Sequence, residues 1–154
     1  MLQAWQKQWT SKELSFFAGL GAITRGLQAK GWAVYPYEKE DDKLVEDILN
    51  DEGYCFALSL VLRCRIGAIL WFGIVCSSWV FMSRGSTGRY IFDIRGHIKN
   101  DAVHHGNIMC SRVILLMWIS IKHELLTILE QPTTSIMYMW KRFQDMFGAI
   151  LIYK

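Results

Sequence analysis

Three short clusters in this chain combine residue types and spacing that could do chemistry. The first is Phe17-Ala18-Gly19-Leu20-Gly21, a glycine turn at the end of a short apolar run. Glycines there let a backbone approach a cofactor without a Cβ in the way, and a helix starting just after offers free N–H groups to a carboxylate or phosphate. Glu38 follows the next apolar run, where an acid can accept hydrogen bonds from ribose hydroxyls. The plainer alternative is that the glycines serve tight packing and Glu38 is merely exposed. Cys76 and Glu130 close two further apolar runs. Ser83 to Arg89 could clamp phosphates through Arg84, Arg89 and backbone N–H groups, though it lacks the lysine and strand context of a P-loop.

The elements that would position these clusters alternate. Leu14 to Phe17 reads as a strand, Ala22 to Lys30 as a helix stopped by Gly31, and Trp32 to Tyr35 as a second strand. Glu38 to Glu52 is acidic and reads for the most part as a solvated helix and loop. A helix over Tyr54 to Arg65, a strand over Ala68 to Phe72 and a long loop from Ser83 to Gly106 come next. A buried helix over Asn107 to Glu124, a strand over Leu125 to Leu129, a helix over Thr133 to Met146 and a strand-like run over Gly148 to Tyr153 complete the chain. Apolar strands alternating with helices predict an α/β fold: a Rossmann-like, mostly parallel sheet with helices on both faces, a three-layer sandwich. Ligands of such sheets bind at the carboxyl ends of the strands, and the glycine turn, Cys76 and Glu130 all fall there.

At 154 residues the chain is expected to form one domain, with a polar lead-in over residues 1–13 and no signal peptide. Hydrophobic residues make up 52% and charged residues 20%, so a membrane-associated protein has to be weighed. Ile66 to Met82 is uncharged but short for a spanning helix and rich in β-branched and aromatic residues, which favours a buried strand running into a loop. Val113 to Ile121 would be its companion span in a small membrane protein, the less favoured reading. A net charge of +3 permits a nucleic-acid partner without demanding one. Cys55, Cys64, Cys76 and Cys110 show no C-x-x-C pair, so zinc and a redox pair are not expected. Cys55 and Cys64, inside an apolar run, are expected to be buried thiols in a reducing, intracellular protein, nuclear or cytoplasmic. His97, His104 and His105 match no metal-ligand spacing and read as loop residues.

Ser15 to Ala22, Gly26-Leu27, Gly31 and Glu38 together resemble the opening of the cytosine C5 DNA methyltransferases, a family that begins D-L-F-A-G-L-G-G and places an acid after the second strand. The resemblance implies that S-adenosylmethionine is held by Phe17, Ala18, Gly19, Leu20 and Gly21, with Glu38 on its ribose and Asp47 of Asp47-Ile48 facing its adenine. Cys76, in Val75-Cys76-Ser77, occupies the place of the family's nucleophile, and Glu130, in Glu130-Gln131-Pro132, looks like the acid that contacts the target base. The implied substrate is DNA, with RNA left open, and Arg84 and Arg89 would supply the positive setting that activates a cysteine. Ser15, Val75 and Gln131 depart from the family pattern, and nothing after Met146 resembles its later motifs or a target-recognition region. The resemblance therefore spans Leu14 to Ser135. A partner protein supplying the missing elements, or a domain that keeps the fold but only binds nucleic acid or protein, are the rivals it leaves.

Overall fold

The structure, a computed structural model, describes residues 13–16, 22–39 and 46–152. It is a mixed α/β chain. Strands β1 (Glu13–Phe16), β2 (Val34–Tyr37), β3 (Ile69–Phe72) and β4 (Leu126–Leu129) form one parallel sheet in the order β2-β1-β3-β4. Helices α1 (Ala22–Gln28), α2 (Asp51–Arg63), α3 (Arg84–Thr87), α4 (Asp101–Lys122) and α5 (Lys141–Ile152) lie between and after the strands, with 3-10 turns at Phe81–Ser83 and Met137–Met139.

The register matters more than the order. Phe16 pairs with Tyr37 and with Phe72, and Phe72 pairs with Leu129, so all four strands end in one row. The chain leaves β1 first to one side, for β2, and later returns to the other, for β3. The place where a parallel sheet's order reverses is where a crevice opens at its carboxyl edge.

Within β3, Leu70 and Phe72 are fully buried while Ile69 and Trp71, on the opposite face, are only half-buried. Burying each of the first two side chains contributes roughly 1.5–3 kcal/mol. The apolar run Ile66 to Met82 predicts a strand sealed on both faces; the two faces are covered unequally. Among the described residues no helix is long and apolar enough to cross a membrane.

α2 starts where Asn50 accepts a hydrogen bond from the Gly53 N–H, and Asp51 and Glu52 favour its positive end. Gly53, Ala57, Leu60 and Val61 form its buried stripe. Cys55 falls between turns of that stripe and is exposed, which corrects the expectation of a buried thiol there; Cys64 is buried as expected. α4 begins at Asp101 rather than Asn107, because Asn100 caps it by accepting from the N–H groups of Ala102 and Val103. The long loop is shorter by that much. Gly148 to Ile152 is the last part of α5 rather than a strand. The spacing of Phe143 and Met146, both buried, is helical, and that period wins over the apolar run at the chain's end.

Candidate functional site

One position beyond the final row of the sheet stand Glu38 after β2 and Glu130 after β4. Neighbouring strands are about 4.8 Å apart, so the two acids flank an edge roughly 15 Å wide. Phe17, Ala18, Gly19, Leu20 and Gly21 lie outside the described residues. Cys76 is in the loop that continues from β3, between the two acids in strand order.

On the β2 side the carboxylates are densely bonded to their own surroundings. The half-buried Glu38 accepts from the Lys39 N–H at 2.9 Å and gives its own N–H to Glu46 Oε2 at 3.0 Å. Glu46 is buried, and its Oε1 accepts from the Tyr35 hydroxyl at 2.7 Å. Burial raises the Tyr35 hydroxyl's pKa, and the Glu46 hydrogen bond and charge raise it further. Glu46 corrects the reading of the acidic run as solvated. Asp47 pairs with Lys39 at 2.7 Å and accepts from the Leu49 N–H at 2.9 Å. Burial would raise its pKa, but those two hydrogen bonds and the nearby positive charge hold the carboxyl below its ordinary value. Both Asp47 oxygens are thus engaged by the chain itself, which leaves the predicted contact with an adenine to be made around them.

On the β3–β4 side the two loops brace each other. The Glu130 N–H donates to the Phe72 carbonyl at 2.8 Å, and its exposed carboxylate accepts from Trp71 Nε1 at 3.1 Å. Gln131 donates through Nε2 to the Ile74 carbonyl at 3.0 Å and accepts from the Ser135 hydroxyl at 3.0 Å. A cavity of about 430 Å³ opens beside this brace, against Leu129, Gln131, Ser135, Met137, Tyr138 and Phe143. A second hollow of about 370 Å³ lies at the opposite end of the strands, against Trp32, Ile66, Ile69 and Leu126, away from every polar residue named above. The Cys76 carbonyl accepts from the Trp79 N–H at 2.8 Å, closing a tight turn that leaves the cysteine half-buried and Val75 exposed.

Arg89 is not a surface cation. It is 1% exposed, with its guanidinium 3.5 Å over the Trp79 ring. Nη1 donates to the Ile94 carbonyl at 2.6 Å and Asn107 Oδ1 at 2.9 Å; Nη2 donates to the Val103 carbonyl at 3.2 Å and Ser78 Oγ at 3.3 Å. None of these acceptors is a carboxylate. Burial lowers its pKa to about 10, partly offset by Cys110 and Asp93. The expectation that Arg89 meets phosphates is therefore corrected: both Nη groups donate inside the protein and the guanidinium is closed off from solvent, with Nε buried and unpartnered. Arg84 is half-buried and stacks 3.5 Å over the Phe81 ring.

Sequence reasoning missed Glu46, the Gln131 brace and the Arg89 centre. The glycines around Arg89 carried a signal. Gly88 and Gly96 have φ of +62° and +63°, and a Cβ on Gly106 would stand 2.5 Å from Ser78 Oγ. Among the described residues no three His, Cys, Asp or Glu side chains gather as metal ligands. No protein-family model matches the chain, and no curated protein and no solved structure matches it.

Proposed function

We propose that the chain is a Rossmann-like domain of the S-adenosylmethionine-dependent methyltransferase type, acting on C5 of cytosine in DNA within a reducing intracellular compartment. One observation carries the reading: the register levels the four strands, so Glu38, the Cys76 loop and Glu130 share one edge with the exit of β1. The half-buried Glu38 carboxylate at the tip of β2 suits the donor hydroxyls of a ribose, which is the test the cofactor has to pass among these residues. When bound, that cofactor supplies an electrophilic methyl group.

Cys76 is the proposed nucleophile. Its thiolate forms a bond to C6 of the base, and the C5–C6 electron pair becomes available at C5. Glu130, oriented by Trp71 Nε1, meets the base at N3. With the methyl group that the cofactor would supply on C5, elimination passes the C5 proton to water, re-forms the C5–C6 double bond and returns the sulfur–carbon electron pair to Cys76 as its thiolate. A base in a duplex has to be extruded before any of this can occur.

Calorimetry with S-adenosylmethionine tests the reading first. Wild type should give heat; Glu38→Ala should bind at least about tenfold more weakly, the worth of one hydrogen bond to a charged group, and Gly19→Asp should weaken binding by crowding the cofactor. Absence of heat for wild type removes the proposal. A duplex carrying 5-fluorocytosine should then form a covalent adduct that Cys76→Ser cannot form; an adduct indifferent to that change rejects Cys76.

A second reading has an observation of its own. Glu130 and Gln131 both brace neighbouring strands and loops, which a domain that only binds would equally need. Heat with the cofactor and nucleic acid, but no adduct, would favour that reading.

A further inference from the structure

Between α3 and α4, Tyr90 to Asp93 forms a tight hairpin. Tyr90 and Asp93 exchange backbone hydrogen bonds of 3.0 Å in both directions, leaving Ile91 and Phe92 at its tip. Phe92 is 89% exposed and Ile91 62%, so neither side chain contributes much to the core. Exposed apolar groups of this size on a rigid support mark a contact surface.

Hydrogen bonds on either side hold the hairpin in place. Arg89, immediately before the hairpin, holds the Ile94 carbonyl beyond it. The His97 N–H closes the base of the segment on the Thr87 carbonyl at 2.8 Å, and Asn107 Nδ2 holds the Arg95 carbonyl at 3.1 Å. Phe92 stacks on Tyr90 with centroids 5.4 Å apart and planes within 2°, so the pair offers flat aromatic surface to solvent. Phe81, 54% exposed with Arg84 over its ring, offers a second platform in the same segment. Along the same stretch of chain the exposed charges are Arg95 and Lys99 against Asp93 and Asp101, with His97, His104 and His105 exposed and Arg84 half-buried.

Flat, exposed rings interleaved with cations suit unpaired bases and the phosphates between them. We propose that the Tyr90–Asp93 hairpin and the Phe81–Arg84 pair form a stacking platform for single-stranded DNA, with Arg95 and Lys99 on its phosphates. The choice of DNA over RNA rests on the methyl-transfer reading; the stacking itself does not.

Fluorescence anisotropy of a labelled 20-nucleotide oligothymidylate, without cofactor, tests it. That separates its failure from the failure of cofactor binding, which calorimetry reads. The oligonucleotide should bind wild type roughly 5- to 100-fold more tightly than Phe92→Ala, the worth of one base stack, and Phe92→Trp should retain binding. Arg95→Glu combined with Lys99→Glu should flatten the salt dependence by a slope of about 1.4. Unchanged affinity in Phe92→Ala overturns the proposal, as does a loss in Phe92→Ala that is equally large for a 20-base-pair duplex, whose stacked bases cannot lie on the ring. Tighter binding of oligouridylate overturns the assignment to DNA. Binding to anionic phosphatidylserine vesicles in place of the oligonucleotide would make the surface a lipid contact and overturn it as well.

Discussion

The two sides of the sheet's carboxyl edge each bury one charge, and they do it differently. On the β2 side Glu46 is satisfied by donors from nearby in the chain, the Tyr35 hydroxyl and the Glu38 N–H. On the β3 side the Arg89 Nη groups donate to acceptors drawn from Ser78 to Asn107, two side-chain oxygens and the backbone carbonyls of Ile94 and Val103. A buried carboxylate with local partners fixes one turn. A buried guanidinium with distant partners takes the place of secondary structure, because the segment it gathers contains only short helical turns before α4. Its planar fork can hold several carbonyls at fixed angles, which an ammonium cannot.

The difference predicts unequal costs. Arg89→Met leaves several buried carbonyls without donors and should lose about 3–5 kcal/mol in urea unfolding. Arg89→Lys should recover less than half of that. A loss below about 1 kcal/mol for the methionine variant would mean that the segment is held by its apolar contacts instead, and the comparison would fail.

Gly106→Ala examines the same centre from α4. Alanine in place of glycine within a helix gains up to about 1 kcal/mol. Against that, the new Cβ would meet Ser78 Oγ at 2.5 Å, Arg89 Nη2 at 3.2 Å and Trp79 Nε1 at 3.3 Å. Overpacking of this kind costs about 1–3 kcal/mol, so a net loss of about 1–2 kcal/mol is expected. A stabilised variant would show that Ser78 can turn away freely and that the contact is loose.

On the β2 side, Tyr35→Phe removes one donor to Glu46 and should cost about 1 kcal/mol, with the loss confined to the turn between β2 and α2. Amide exchange makes the distinction. Protection should fall around Glu38 and Glu46 in this variant, but across the residues between Ser78 and Asn107 in Arg89→Met.

Much of the frame was legible in the sequence because it rests on local signals. The alternation of apolar runs, Gly31 after α1, and Arg63 in the last turn of α2 each act within a few residues. The errors share a physical cause. The apolar period starts at Asn107 and is blind to Asn100, whose capping sets the true start of α4; the apolar composition of Gly148 to Tyr153 suggests a strand, while the period set by Phe143 and Met146 makes a helix. The polar centres were harder. Whether Arg89 meets solvent or carbonyls depends on partners far along the chain, and residue type alone favours solvent. Glu46 disappeared among exposed acids for the same reason. That Glu38 and Glu130 each follow a strand was legible, but the second strand runs over Val34–Tyr37 rather than Trp32 to Tyr35, and only the observed register levels the two acids.

Two buried thiols extend the comparison to groups that are neutral when folded. Cys64 ends α2, and burial pushes its thiol up to about 11. Cys110 lies on α4; burial raises it as well, with Arg89 and Arg142 pulling the other way. A thiol whose folded pKa is raised keeps its proton in the native state, so its stabilising contribution is whole below the unfolded value of about 9 and is lost as pH rises toward the folded value. Between pH 8 and 10 each thiol should therefore remove about 1 kcal/mol of stability. Above pH 10 Arg89 acts in the opposite sense, since its lowered pKa lets the folded state shed a proton before the unfolded one, which confines the measurement to the lower window. Urea midpoints at pH 8 and 10 should converge in Cys64→Ala relative to wild type. In Cys110→Ala they should converge too, and combining that change with Arg89→Lys, which keeps the charge but not the fork, should leave the pH response of Cys64 untouched. An altered Cys64 response in the double variant would couple the two sides of the edge through α2 and α4, which pack together, and would make the two buried charges parts of one network rather than two.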